Sequence, residues 1–227
     1  MDILELKKGI AQAVRTLSGG EVLTLTVGHV SCRIPDSDNI LILGHCHKAY
    51  KTLDTITEDD IVVMDMDGNT VEGNYDPPGE KYIHTEIYRQ RSDVNSIVHG
   101  HPEMSTAFSI AGKKIVPVFI RGSQFAPEVP VMDCAGQIDT KELGAKTAAA
   151  LGSSVALLLR GHGSVVVGNS IDEAGVNAFA LESNAKLQYY ASMLGSPKPL
   201  TQEELKAHKP TSVWAYYVKK YDPMFNK

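Results

Sequence analysis

Two short stretches carry side chains with the chemistry of metal ligation. The first is His99-Gly100-His101-Pro102. In an extended strand residues i and i+2 point to the same face, so both imidazoles can reach one ion. Pro102 donates no ladder hydrogen bond and marks the strand's end, where side chains open onto a pocket. The second stretch is Arg160-Gly161-His162-Gly163, directly after the apolar run Val155–Leu159, with a glycine on each side that lets other groups approach closely. Three imidazoles with a fourth position open are the ligand set of a catalytic, water-bearing divalent metal rather than a closed structural one. Spacing alone leaves open whether the two stretches meet, because each histidine also reads as an ordinary strand or turn residue.

Glu80 follows Pro77-Pro78-Gly79 and opens a helical pattern. A carboxylate there suits the helix dipole. It also suits a general acid/base or an exchangeable fourth ligand beside a metal. His84, four residues on, shares its helix face and is expected to sit behind the site.

The elements that must position these residues follow from periodicity and punctuation. Helices are predicted over 1–19, 80–91, 104–110, 140–151 and 171–194. Strands are predicted over 23–30, 39–43, 61–65, 70–72, 96–101, 115–120, 129–132, 155–160 and 164–167, with Asp67-Gly68-Asn69 as a hairpin turn. Strands dominate the first third and alternate with helices afterwards. That order predicts an α/β fold: a single three-layer α/β/α domain spanning 1–227 with a central, largely antiparallel sheet. An aromatic tail with Trp214, Tyr216, Tyr217 and Tyr221 runs from about residue 197. There is no GxGxxG after the first strand and no GxxxxGK[ST], so nucleotide binding has no sequence support.

The 227 residues carry 22 Lys+Arg against 27 Asp+Glu, a net charge of −5 that argues against nucleic-acid binding. No apolar run approaches the roughly 18 residues of a membrane span. Cys32, Cys46 and Cys134 form no CxxC pair and are expected to be reduced thiols. With an opening segment unlike a signal peptide, the expectation is a cytoplasmic protein.

Two blocks, PPGEKYIHTEIYRQRSDVNSIVHGHPEMSTAFSIAG and LLLRGHGSVVVGNSIDEAGVNAFALE, strongly resemble the class II aldolase/adducin family, over about residues 5–195. That family includes L-fuculose-phosphate aldolase, L-ribulose-5-phosphate 4-epimerase and a branch of decarboxylases. The resemblance implies a homotetramer with sites at subunit interfaces. It implies one divalent ion per subunit held by His99, His101 and His162, with zinc favoured and manganese, iron or cobalt as alternatives. It further implies that Glu80, nineteen residues before the first metal histidine, is the catalytic carboxylate.

The chain departs from the family's sugar-phosphate members at both phosphate turns. Their GNxS reads Gly28-His29-Val30-Ser31 here, and their TPSG is replaced by Leu43-Gly44-His45-Cys46-His47-Lys48. A phosphate dianion needs several convergent donors, and the small-residue turns that supply them are gone. The expected substrate is therefore a non-phosphorylated small-molecule carboxylate, met by His29, Ser31, His45, His47, Lys48 or Arg121, with Tyr217 of the tail as a further candidate. The GHVS-type turn resembles the decarboxylase-like branch. The expected activity is a metal-dependent carbon–carbon lyase that decarboxylates a hydroxylated aromatic or keto acid. The alternative is a class II aldolase cleaving a hydroxy-carbonyl, sugar or sugar-phosphate substrate. A non-catalytic adducin-like interaction domain is the distant rival, because adducin-type members lack the metal histidines. His208 has no assignable role.

Overall fold

In the computed structural model, residues 2–24, 27–46, 51–207 and 213–225 are described. In chain order the elements are α1 (Ile3–Gly19), β1 (His29–Arg33), β2 (Ile40–Leu43), β3 (Ile61–Met64), β4 (Thr70–Glu72), α2 (Lys81–Gln90), β5 (Ser96–Gly100), α3 (Glu103–Ile110), β6 (Val131–Met132), α4 (Lys141–Leu151), β7 (Ala156–Leu159), β8 (Gly163–Gly168), α5 (Ile171–Leu194), α6 (Gln202–Ala207) and α7 (Trp214–Tyr221). Among the described residues the strands form one eight-stranded sheet in the order β4-β3-β2-β1-β5-β8-β7-β6. Only the β6–β7 pair is parallel.

Period-2 alternation sorts the strand residues onto two buried faces. Val30, Cys32, Leu41, Leu43, Val98, Leu158 and Val166 pack with α1, α3, α5 and α7. Ile40, Ile42, Val62, Met64, Ile97, Leu157 and Val165 pack with α2 and α4. The predicted three layers are thus the observed ones. The α2/α4 face carries the site. With Val30 and Cys32 on the other face, β1 turns His29 and Ser31 toward α2, where they meet His84 and Tyr88.

Two predicted strands are corrected. The first begins at His29 rather than residue 23, because the N–H groups of Val22 and Leu23 are taken by the Leu17 carbonyl as the C-terminal cap of α1, at 2.9 and 3.2 Å. Residues 115–120 join no ladder. Two side chains of α5 replace the missing strand partner. Asn184 accepts from the N–H of Val118 and donates to the Val116 carbonyl. Gln188 accepts from the N–H of Val116 and donates to the Lys114 carbonyl. Buried backbone groups must be paired, and here amides do the pairing.

The tail carries α7, held to α1 by a two-pronged Arg15–Asp222 ion pair at 2.8 and 2.9 Å. No helix among the described residues is long and apolar enough to cross a membrane.

Candidate metal and catalytic site

Four predicted residues from three separate parts of the chain converge. His99 is the penultimate residue of β5, His101 lies one residue past the strand, His162 sits in the β7–β8 turn, and Glu80 caps the start of α2. One potential ligand atom from each lies within 4.8 Å of all the others. The His99 ring is 4.9 Å from that of His101 and 5.0 Å from that of His162. The glycines flanking His162 permit this crowding. Gly161 has a φ of +67°, and a Cβ on Gly163 would fall 2.8 Å from His101 Cδ2 and nearer still to the Gly100 carbonyl.

Hydrogen bonds set the orientation of the two best-defined groups. His99 Nδ1 lies 3.0 Å from the Ser164 carbonyl oxygen, which can only accept, so Nδ1 carries the proton. Nε2 then presents a lone pair at 3.4 Å from Glu80 Oε2. Glu80 Oε1 accepts the Ile138 N–H at 2.9 Å and lies 3.4 Å from His162 Nε2. Buried ring nitrogens of His99 (Nε2), His101 (Nδ1) and His162 (Nδ1) have no hydrogen-bond partner among the described residues. Acceptor facing acceptor in a buried site is unfavourable unless a cation lies between. The residues therefore fit a divalent ion.

Burial, with the neighbouring His99 and His162, lowers the His101 pKa to about 4 and keeps the ring neutral, as a ligand requires. Burial alone would raise the Glu80 pKa, but the neighbouring His162 and His99 and the Ile138 N–H outweigh it and lower it.

Glu80, His101 and His162 open onto a cavity of about 520 Å³ that is also lined by His29, His45, Lys51 and Gln137, with His99 buried behind it. A larger groove of about 870 Å³ lies around the far end of β1, beside Arg33 and Asp36, and brings together no such ligand group.

The remaining predicted residues separate. His29 lines the cavity, and His45 does so beside its backbone hydrogen bond to Asp76. Ser31 does not reach it, since its hydroxyl is bonded to His84 and Tyr88 at 2.6 and 2.8 Å. Arg121 and Tyr217 line no part of it within one chain. Tyr217 stacks on Phe179 at 4.3 Å. His47, Lys48 and His208 lie outside the described residues. Lys51 and Gln137 were missed by sequence reasoning, and Lys51 is paired with Asp60 at 2.6 Å. His84 proves closer to the chemistry than expected, donating or accepting at 2.7 Å with His29. The spacing Glu80–His84–Tyr88 carries the signal. It is an i, i+4, i+8 stripe rising about 6 Å per step, matched to the roughly 6.6 Å between alternate residues of β1.

The profile of the class II aldolase and adducin N-terminal domain matches residues 8–189. The chain belongs to this family. It is 32% identical over 200 residues to the 3,4-dihydroxyphthalate decarboxylase of Arthrobacter keyseri, covering 83% of this chain and 79% of that one. It is 31% identical over 183 residues to the L-fuculose phosphate aldolase of Methanocaldococcus jannaschii, covering 80% and 94%. A solved L-fuculose 1-phosphate aldolase superposes with a TM-score of 0.80 at 25% identity, covering 96% of both chains. Class II aldolases use a divalent metal, and the cluster of Glu80, His99, His101 and His162 suits one. The named relatives are lyases of two kinds, and this chain is a lyase of the same family.

Proposed function

We propose that the protein decarboxylates a non-phosphorylated, hydroxylated aromatic or keto carboxylic acid. The observation that carries this reading is His29. It stands at the turn where phosphate-using relatives keep asparagine, and it faces a cavity whose one Lys or Arg among the described residues, Lys51, is already neutralised by Asp60. Such a lining offers one or two hydrogen bonds to a carboxylate, not the cradle a phosphate dianion needs. The likeness to 3,4-dihydroxyphthalate decarboxylases supports the same choice.

His99, His101 and His162 would hold one divalent ion, with zinc favoured. When bound, the ion supplies a Lewis acid for the negative charge that carbon–carbon cleavage leaves behind. His29 orients the departing carboxylate. Glu80, ionised at rest, accepts the proton of a substrate hydroxyl and returns one to the carbon that carried the carboxylate. The net change is R–COO⁻ plus H⁺ to R–H plus CO2, the balancing proton coming from water.

The second reading is retro-aldol cleavage, favoured by the likeness to L-fuculose phosphate aldolases. The two share the residues above and differ in the leaving group. A panel holding 3,4-dihydroxyphthalate, other hydroxylated aromatic acids, hydroxy-keto acids and L-fuculose 1-phosphate, assayed on metal-loaded protein for both products, separates them. CO2 is expected. Aldehyde without CO2 would overturn the reading.

A homotetramer is part of the proposal. Tyr190, Met193 and Leu194 near the end of α5 are 56%, 70% and 91% exposed, an apolar surface suited to self-association. The three free cysteines support a cytoplasmic location.

A further inference from the structure

His29 does not act alone. Behind it runs a buried chain of three further side chains: His29 Nδ1 to His84 Nε2 at 2.7 Å, His84 Nδ1 to Ser31 Oγ at 2.6 Å, and Ser31 Oγ to Tyr88 Oη at 2.8 Å. His84 and Ser31 are fully buried, and Tyr88 is 3% exposed. Each link has two possible directions, and the direction decides what His29 shows to the cavity.

Proton inventory selects one direction. The Tyr88 hydroxyl has Ser31 Oγ as its hydrogen-bond partner among the described residues, so its proton must go there. Ser31 Oγ accepts from Tyr88, and His84 Nδ1 is the acceptor available to its own proton among the described residues. A neutral His84 then carries its proton on Nε2 and donates it to His29 Nδ1. A neutral His29 in turn carries its proton on Nε2. The reverse arrangement, with His84 Nδ1–H donating to Ser31, leaves one buried hydroxyl proton, that of Ser31 or of Tyr88, with no acceptor among the described residues. A second proton on either ring places a hydrogen on His84 Nδ1 and leaves the same orphaned hydroxyl proton.

We infer that Tyr88, Ser31 and His84 are positioning residues that lock His29 as an Nε2–H donor into the cavity, so that this point selects an acceptor oxygen of the substrate, a carboxylate above all. The inference rests on reading the cavity as the substrate site. It adds that the specificity of His29 is set up to three side chains away, on β1 and α2. A substrate hydroxyl donor or an ammonium group at this point meets a proton and is rejected. Asparagine, whose amide presents both a donor and an acceptor, imposes no such polarity.

Neutron diffraction from crystals of the metal-loaded protein in deuterium oxide reads the proton positions directly. Deuterium is expected on Nε2 of both His29 and His84, with neither Nδ1 occupied. Deuterium on either Nδ1 overturns the inference. In solution, Ser31→Ala breaks the relay. The KM for 3,4-dihydroxyphthalate should rise roughly two- to tenfold, with kcat and metal content unchanged, and Ser31→Thr, which restores the hydroxyl, should reverse the rise. An unchanged KM in Ser31→Ala also overturns the inference. If wild-type protein does not act on that acid at all, the proposed activity is at fault, and the deuterium positions still decide the relay.

Discussion

The Ser164 carbonyl oxygen takes the Nδ1 proton of His99 at 3.0 Å, and this one contact decides what His99 offers to Glu80. With Nδ1 protonated, Nε2 faces the Glu80 carboxylate as an acceptor 3.4 Å away. Two acceptors held this close by a rigid strand and a helix cap make a site that a cation completes.

Purified protein should accordingly carry about one divalent ion per chain, read by elemental analysis. His99→Ala and His162→Ala should each lose it. Chelation should lower the unfolding midpoint, and restoring metal at a hundred times its dissociation constant should return about 2.7 kcal/mol of stability. Protein that stays metal-free after reconstitution would remove the site.

Glu80→Gln preserves shape and keeps an oxygen for the Ile138 N–H, a bond now 2.9 Å long. It removes the group that moves the proton. Turnover should fall roughly 10²- to 10⁴-fold while the fold is retained. Parallel measurement of kcat, metal content and circular dichroism separates loss of chemistry from loss of structure.

Asn184 is fully buried and serves three backbone groups: the N–H groups of Val118 and Phe119 and the Val116 carbonyl. Asn184→Ala should destabilise the protein by about 2–4 kcal/mol, since several buried backbone groups lose their partner at once. Urea unfolding tests this. A midpoint within error of wild type would mean that the segment re-pairs elsewhere.

Arg15 and Asp222 tie the tail to the first helix with side chains only 11% and 1% exposed. Arg15→Ala should cost about 3–5 kcal/mol by leaving a buried carboxylate unpaired. Burial would raise the Asp222 carboxyl, but the Arg15 guanidinium and the Met224 N–H outweigh it and hold its pKa below the ordinary 3.8. The native state thus binds fewer protons than the unfolded one at low pH. The contribution of Asp222 is complete above about pH 4 and is lost as pH falls toward the native value. Asp222→Asn should flatten the acid limb of the stability curve, measured by thermal unfolding between pH 6 and pH 3.

Much of the site was legible before folding because its residues announce themselves by type. His99, His101 and His162 carry a ligand chemistry, and the glycines beside His162 advertise crowding. The sheet was legible in the alternation of apolar residues, and α5 was predicted at the bounds it has, Ile171–Leu194. Where local pattern failed, long-range partners had intervened. Residues 115–120 look like a strand, yet the backbone groups of Val116 and Val118 pair with Gln188 and Asn184, some 70 residues away. Ser31 looks like a pocket hydroxyl because it follows His29 by two, yet α2 covers it and claims its proton.

By itself the sequence determined the family, the α/β class and the identity of the candidate ligands, because these depend on residue type and short-range spacing. Only the tertiary structure decided which groups meet. It set His29 opposite His99 across the β1–β5 ladder, turned Glu80 onto both His99 and His162, and laid the Glu80–His84–Tyr88 stripe of α2 over alternate residues of β1. The reason is physical. A hydrogen bond's direction and an imidazole's tautomer depend on the last partner in the chain, and the partners of His29 run to Tyr88, 59 residues away in sequence and three hydrogen bonds away in space.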